Sequence, residues 1–452
     1  MIREFRLKKL KKIQEPYPAK TTMPYYGRIR SIRQHGGSIF AHIDKQQIYL
    51  KKDILGKKFE EFKNIFDIGD IIEVKGKTFK TRTGENTIEV RGFNMLAKSI
   101  RPLPEKWYGL KDKEIRFRKR YLDLLMNEEA IKIFEKRSEI IRKIRAFLDK
   151  NNFIEVETPI LQTIPGGTLA KPFKTHLNAL DLDLYLRIAP ELYLKRLLVG
   201  GFERVYEIGR CFRNEGMDKN HNPDFTMLEF YWIFANYKDL MNFCEKMFEN
   251  LLKKVFGRLT VKYEGKEINF KTPWPRLEFN QIFKKYTKIN LEEIHLKSLK
   301  KEALKLGIEI EKGEEKPEIA DKIYKKFCLP NVKNPTFIIN HPLGAFPLAK
   351  TLETSPPKLA NFQLIVAGWE LVNAFSELND PIEQRRRFKE QEKFFKVGVE
   401  EAQRMDEDFL EALEYGMPPA AGFGMGIDRL VALLTDSYSL REVILFPTMR
   451  PK

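Results

Sequence analysis

A chain of 452 residues is too long for one small core and calls for two to three domains. With 42% hydrophobic and 32% charged residues it is not a disordered chain, and no apolar run reaches the length that crosses a bilayer. Its 81 Lys and Arg outnumber 63 Asp and Glu, a net +18, which fits either a polyanionic partner such as RNA or DNA or simply a lysine-rich surface.

Residues 1–21 read as a basic helical tail, punctuated toward its end by Pro16 and Pro18 and lacking the apolar core and cleavage site of a secretory signal. From 22 to 100 the pattern turns to short β-like runs. These are Y-Y-G-R-I-R-S-I, S-I-F-A-H-I-D, Q-Q-I-Y-L, D-I-I-E-V-K-G-K-T-F-K and N-T-I-E-V-R-G-F. Five strands with one helical stretch between Asp53 and Phe66 suit an OB-like barrel. Arg28, Arg30, Arg33, Phe40 and Tyr49 interleave cations with rings, as single-stranded nucleic acid binding requires. Strand alternation also turns roughly half of any strand's side chains inward, so each ring has a core reading as well.

R-P-L-P-E opens a stretch read as a linker over residues 101–125, and a second domain runs from 126 to 452. Ile131, Phe134, Ile140, Ile141, Ile144 and Leu148 recur at helical spacing. Asn151-Asn152 ends that helix, and F-I-E-V-E-T-P alternates like a strand; the pair serves either a subunit interface or plain core packing. A strand over 181–189 precedes a helix over 190–198, and the helical pattern returns over 237–256. Lys/Glu-rich helical material at about 278–330 reads as an insertion. Cys211, Cys244 and Cys328 lie far apart, without metal spacing and in odd number, which points to a reducing cytoplasm.

Three stretches carry chemistry. Phe202 to Tyr231 is a hairpin whose turn gathers Arg213, Glu215, His221 and Phe225: guanidinium for phosphate, ring for a base, carboxylate for an exocyclic amine. Gly368 to Asp380 reads as a strand with Trp369, Leu371, Asn373 and Phe375 on one face and Glu370, Val372 and Ala374 on the other. A strand end before Glu377 would turn that carboxylate into the site, and a carboxylate over a sheet floor suits Mg²⁺ or an ammonium. A-A-G-F-G-M-G-I-D-R-L lets a ligand approach the backbone at its glycines and sends Arg429 out of the first turn of a helix. No strand–turn–helix–strand unit surrounds those glycines, which excludes a dinucleotide fingerprint.

Taken together, F-I-E-V-E-T-P, the F-R-N-E-G hairpin and G-M-G-I-D-R resemble the three motifs of class II aminoacyl-tRNA synthetases. The barrel-first order resembles the lysyl/aspartyl/asparaginyl subgroup. A-P-E-L-Y-L-K-R, R-P-L-P-E-K, R-N-E-G with H-N-P-D-F-T-M-L-E-F-Y, and F-S-E-L-N-D resemble its lysyl branch. The resemblance implies an α+β chain: an N-terminal OB-fold β-barrel for the anticodon, then a class II catalytic domain built on a six- to seven-stranded antiparallel β-sheet flanked by helices. It implies a cytoplasmic homodimer, without membrane attachment, that activates L-lysine with ATP and Mg²⁺ and passes it to the 3′-terminal ribose of tRNA(Lys).

The same resemblance assigns residues. Arg213 contacts the α-phosphate and the amino acid carboxylate, and with Arg429 carries catalysis. Glu215 and His221 contact ATP, and Phe225 and Arg429 sandwich the adenine. Glu191 takes the α-ammonium of lysine, while Glu229, Tyr231 and Glu377, with Asn373 nearby, surround its side-chain ammonium. Glu370 binds Mg²⁺. Gln363 stands where the family usually has a second metal-binding carboxylate, and its neutral amide can ligate only through oxygen and with less charge. Arg33, Phe40 and Gln47 match positions that read a U-rich anticodon. Two other readings compete: a ligase that lysylates a protein or small molecule, and an ATP-binding regulator on an inactive synthetase fold. The barrel speaks against the first, and the intact set Arg213, Glu215, Phe225, Glu370, Glu377 and Arg429 against the second.

Overall fold

The computed structural model describes residues 24–104, 110, 112–311, 313–396 and 404–451, and the chain divides into two compact units, 1–111 and 112–452. The basic tail read over residues 1–21 lies outside the described residues.

In the first unit β1 (Tyr25–His35), β2 (Ser38–Ile43), β3 (Gln46–Lys51), β4 (Ile71–Lys80) and β5 (Asn86–Ala97) close a barrel in the order β1-β2-β3-β5-β4. Alternation decides the facing of each residue. Ile39, Ala41 and Ile43 of β2 are buried, and Phe40 and His42 between them are half-exposed. Helix α1 (Lys57–Ile65) adds Phe59 and Phe62 to that core.

The second unit begins with α2 (Lys113–Arg118) and α3 (Arg120–Met126), inside the span read as linker. That span is rich in charge. Arg120 is nevertheless buried, because it has partners: Asp123 at 2.7 Å and the carbonyls of Leu445 (2.9 Å) and Arg441 (2.6 Å). Helix α4 (Glu128–Lys150) follows and buries Ile140, Ile144 and Leu148.

The centre is one sheet of eight strands: β6 (Ile154–Glu155), β7 (Arg204–Phe212), β8 (Asp224–Ile233), β9 (Arg276–Glu278), β10 (Thr336–Ile339), β11 (Asn361–Val366), β12 (Trp369–Ser376) and β13 (Ala420–Gly426). Their order is β9-β10-β11-β12-β13-β8-β7-β6. The six inner strands are antiparallel, and the two short edge strands, β9 and β6, pair parallel to their neighbours. The sheet therefore exceeds the six to seven strands the resemblance implied, because two short edge segments join it.

Helices α4, α6 (Tyr237–Phe256) and α10 (Ile427–Leu434) supply side chains to the main core with one sheet face. Asn236 starts α6 through a capping box with Asp239, and Gly257 ends it at φ 68°. Helices α7 (Phe279–Thr287), α8 (Leu296–Lys305) and α9 (Lys316–Phe327) occupy the span read as an insertion and share a core of their own around Phe283 and Ile323.

Two strand details set the other face. In β13 the residues alternate Gly422, Gly424, Gly426 on the open side with Ala421, Phe423, Met425 in the core. The glycine run is thus a period-two pattern that leaves a side-chain-free trough. In β12 a bulge falls at Leu371, since Val372 pairs with Leu364 but Glu370 with Ile365. This corrects the simple alternation. Trp369 and Leu371 join Val372 and Ala374 in the core, and Glu370 lines the open side with Asn373 and Phe375.

Candidate active site

A cavity of about 740 Å³ lies over the glycine trough. Its floor is read from strand register. One row runs Gln363, Asn373, Gly424, Glu229 across β11, β12, β13 and β8. The next runs Asn361, Phe375, Gly422, Tyr231. Gly426 and Gly422 lie four residues apart, about 13 Å at roughly 3.3 Å per residue. The cavity therefore has two ends and a middle row between them.

At the Gly426 end stand Phe225, Glu215, His221, Arg213, Glu370 and Arg429. The β7–β8 hairpin positions the first four. Cross-strand pairing of Cys211 with Phe225 fixes its register, and the Arg213 amide donates to the Pro223 carbonyl at 2.9 Å. The Arg213 guanidinium sits 5.0 Å from the centroid of the Phe225 ring. Arg429 donates to the Glu370 carbonyl at 3.1 Å and lies 3.3 Å from His221 Nε2, so it ties α10, β12 and the hairpin turn together. Asp218 in turn holds His221 Nδ1 at 3.0 Å. Asp428 also lines the cavity, pairing with Arg137 at 2.6 Å and accepting from the Thr226 amide at 2.9 Å.

At the Gly422 end the side chains are carboxylates. Glu191, on the first turn of α5 (Glu191–Val199), is 2.6 Å from Lys195 Nζ. Glu377, just past the end of β12, is 2.5 Å from the same ammonium. Glu229 accepts from the Tyr231 hydroxyl at 3.0 Å. Lys195 is fully buried, and Glu191, Glu229 and Glu377 are at most 5% exposed. Burial works against the Lys195 charge, but Glu191 and Glu377 outweigh it and hold the ammonium above its ordinary pKa. One ammonium cannot balance three carboxylates. Burial, reinforced by the charge of Glu191, pushes Glu229 up to about 8. Glycine is required here: a Cβ on Gly422 would fall 2.1 Å from Glu377 Oε1 and 2.4 Å from the Tyr231 ring.

The cavity thus gathers every residue assigned to ATP or lysine except Glu377, which lies behind Gly422 against Lys195. Sequence reasoning did not single out Lys195, His341 or Lys325, which line or support it. The i, i+4 spacing of Glu191 and Lys195 on one helix was the available signal. In the barrel, Arg33 pairs across strands with Phe40, and Phe40 with Tyr49, so the three share the outer face. The Phe40 and Tyr49 rings are 4.7 Å apart. Gln47 donates to Glu85 at 2.8 Å and accepts from Thr87 at 2.6 Å.

A glycine-floored antiparallel sheet, with a cationic hairpin at one end and an arginine from the following helix across from it, defines a class. Residues 112–450 match the tRNA synthetases class II (D, K and N), and the chain belongs to that family. Its relatives narrow the placement to the lysine–tRNA ligases. The chain is 50% identical over 431 residues to the lysine–tRNA ligase of Moorella thermoacetica, covering 94% of this chain and 88% of that one. It is 50% identical over 433 residues to that of Aquifex aeolicus (94% and 72%). It is 45% identical over 493 residues to that of Thermotoga maritima (100% and 97%).

Proposed function

We propose that this chain activates L-lysine with ATP and transfers it to the 3′-terminal ribose of tRNA(Lys). One observation carries the reading. A single cavity offers cations and a ring at one end, and at the other the buried carboxylates Glu191 and Glu229, with Glu377 behind Gly422 and one resident ammonium, Lys195, shared by Glu191 and Glu377. Such an end is short of positive charge, and a substrate with two ammonium groups supplies it.

In this reading the lysine α-ammonium sits at Glu191 and its side-chain ammonium in the region of Glu229, Tyr231 and Glu377, beside Asn373. The adenine lies between Phe225 and Arg429, with Glu215 at its amine and His221 at the phosphate tail. The middle row is then where the lysine carboxylate meets the α-phosphorus. Arg213 holds both reactants there and, with Arg429, offsets the charge that builds as pyrophosphate leaves. No protein atom becomes covalently modified.

Mg²⁺ fits as an ion that arrives on the ATP phosphates, with Glu370 the cavity carboxylate that would hold it on the protein side. Among the described residues no three His, Cys, Asp or Glu side chains are arranged to hold a metal by themselves. Bound there, the ion would draw negative charge off the phosphates.

Exposed Ile154 on the edge strand β6, with exposed Ile160 and Leu161 in the segment that follows it, support a homodimer through this region. Buried free Cys211, Cys244 and Cys328 suit a cytoplasmic setting, and among the described residues no helix is long and apolar enough to cross a membrane. Arg33, Phe40 and Gln47 are the proposed anticodon contacts. The test is ATP–pyrophosphate exchange with each of the twenty amino acids, then charging of transcribed lysine tRNA. Exchange that depends on lysine and charging of that tRNA are expected. No lysine-dependent exchange, or exchange without charging, would overturn the reading.

A further inference from the structure

The middle row of the cavity ends on Gln363, whose orientation follows from a chain of hydrogen bonds that starts at the backbone. The backbone N–H of His341 donates to Asn361 Oδ1 at 2.9 Å. A backbone amide can only donate, so the Asn361 oxygen is fixed there and its Nδ2 faces the imidazole, 2.9 Å from His341 Nδ1. An amide nitrogen also only donates. His341 Nδ1 therefore accepts and carries no proton, and the one proton of the neutral ring is on Nε2. That nitrogen lies 3.1 Å from Gln363 Oε1, which accepts it.

Nothing in this relay can easily invert. His341, Asn361 and Gln363 are 3%, 0% and 4% exposed. The rings of Phe279 and Phe346 lie 4.7 and 5.5 Å from the imidazole. Burial pulls His341 down to about 4, so the ring is neutral near pH 7. A protonated ring would point a second donor at Asn361 Nδ2.

The consequence falls on Gln363. Its oxygen is occupied, and its NH₂, with no partner among the described residues, belongs to a side chain that lines the cavity. Lys325 and Arg429 line the same cavity. We infer that Gln363 donates a hydrogen bond to an anionic oxygen of the nucleotide phosphate nearest the lysine, and that it is not a metal ligand. This rests on the reading of the cavity as an ATP site. It replaces the expectation that Gln363 ligates Mg²⁺ through its oxygen.

The experiment measures binding, without turnover. An α,β-methylene analogue of ATP is titrated into the full-length chain by calorimetry with Mn²⁺ present, and bound Mn²⁺ is counted by electron paramagnetic resonance. Gln363→Met keeps the length of the side chain and removes the donor. It is expected to weaken the analogue about ten-fold or more while the Mn²⁺ bound per analogue stays constant. Gln363→Glu also removes the donor and adds a carboxylate. It is expected to weaken the analogue at low Mn²⁺ and to recover affinity as Mn²⁺ rises. Unchanged analogue affinity in Gln363→Met, or a fall in bound Mn²⁺, would overturn the assignment. If that variant does not fold, Gln363→Glu decides: unchanged affinity at low Mn²⁺ overturns it. If the unaltered chain binds no analogue, the ATP reading itself falls, which is a separate result.

Discussion

The two ends of the cavity hold their charges in opposite ways. At the Gly426 end two arginines stand with Glu215, His221 and Glu370, Glu215 and His221 are exposed, and the residues come from a hairpin, a strand and a helix start. At the Gly422 end the carboxylates are at most 5% exposed, and Glu191 and Glu377 are already paired with Lys195. Water can screen the first end while it waits for a ligand; the second end has no water to rely on. Stability and function are separable at one end and bound together at the other. A side chain at the open end is free to serve the ligand alone. A side chain at the closed end also holds the fold together, because each buried charge depends on the others.

Lys195→Met is the sharpest attempt to break that contrast and carries the largest expected effect. It leaves Glu191 and Glu377 buried without their cation. Removing one partner of a buried pair costs about 3–5 kcal/mol. Urea unfolding of the second unit should lose stability of that order. A loss below about 1 kcal/mol would mean that the closed end is wetter than its burial indicates.

The contrast also explains what could be read from sequence. The open end was legible because its residues are contiguous: Arg213, Glu215, His221 and Phe225 fall within one hairpin, and Arg429 follows the glycine strand directly. The fold was legible for the same reason, since period-two and helical spacing are local signals. At the closed end Glu191, Glu229, Tyr231 and Glu377 came from the resemblance, but Lys195 was missed. Lys195 meets Glu377 across 182 positions of chain, and no spacing rule announces a partner that distant. The facing of Glu370 was misread because a bulge shifts phase by one residue, and sequence alternation carries no mark of it. Nor does sequence show that Arg120 is buried, since its carbonyl partners Leu445 and Arg441 lie more than 300 residues away.

A middle-sized effect follows from Glu229, whose pKa is pushed up to about 8 by burial and then by Glu191. Below that pH the free protein holds a proton on Glu229. The lysine ammonium requires the carboxylate, so binding releases the proton. Lysine affinity should therefore rise with pH, approaching ten-fold per unit below about 8 and flattening above it. Folding responds with the opposite sign. Because the folded chain binds this proton more tightly than the unfolded one, Glu229's contribution to stability falls as pH climbs toward 8. Calorimetric lysine titrations between pH 6 and 8.5 read both the slope and the proton release. Glu229→Gln should remove the slope; a slope that survives unchanged would assign the proton to Glu191 or Glu377, which share the cluster.

Phe225→Ala probes the open end, and its effect should be the smallest and confined to the ligand. The ring is half-buried and carries the Arg213 guanidinium 5.0 Å from its centroid. No buried charge is stranded when it goes. Stacking of a base on a ring contributes about 1–3 kcal/mol, so the KM for ATP should rise about 5- to 150-fold. The KM for lysine should stay within about two-fold, and urea stability within about 1 kcal/mol, since the carboxylate end and its Lys195 are untouched. Equal losses for both substrates would show that the two ends are coupled through Arg213, which stands over the ring, and would make the cavity one electrostatic unit.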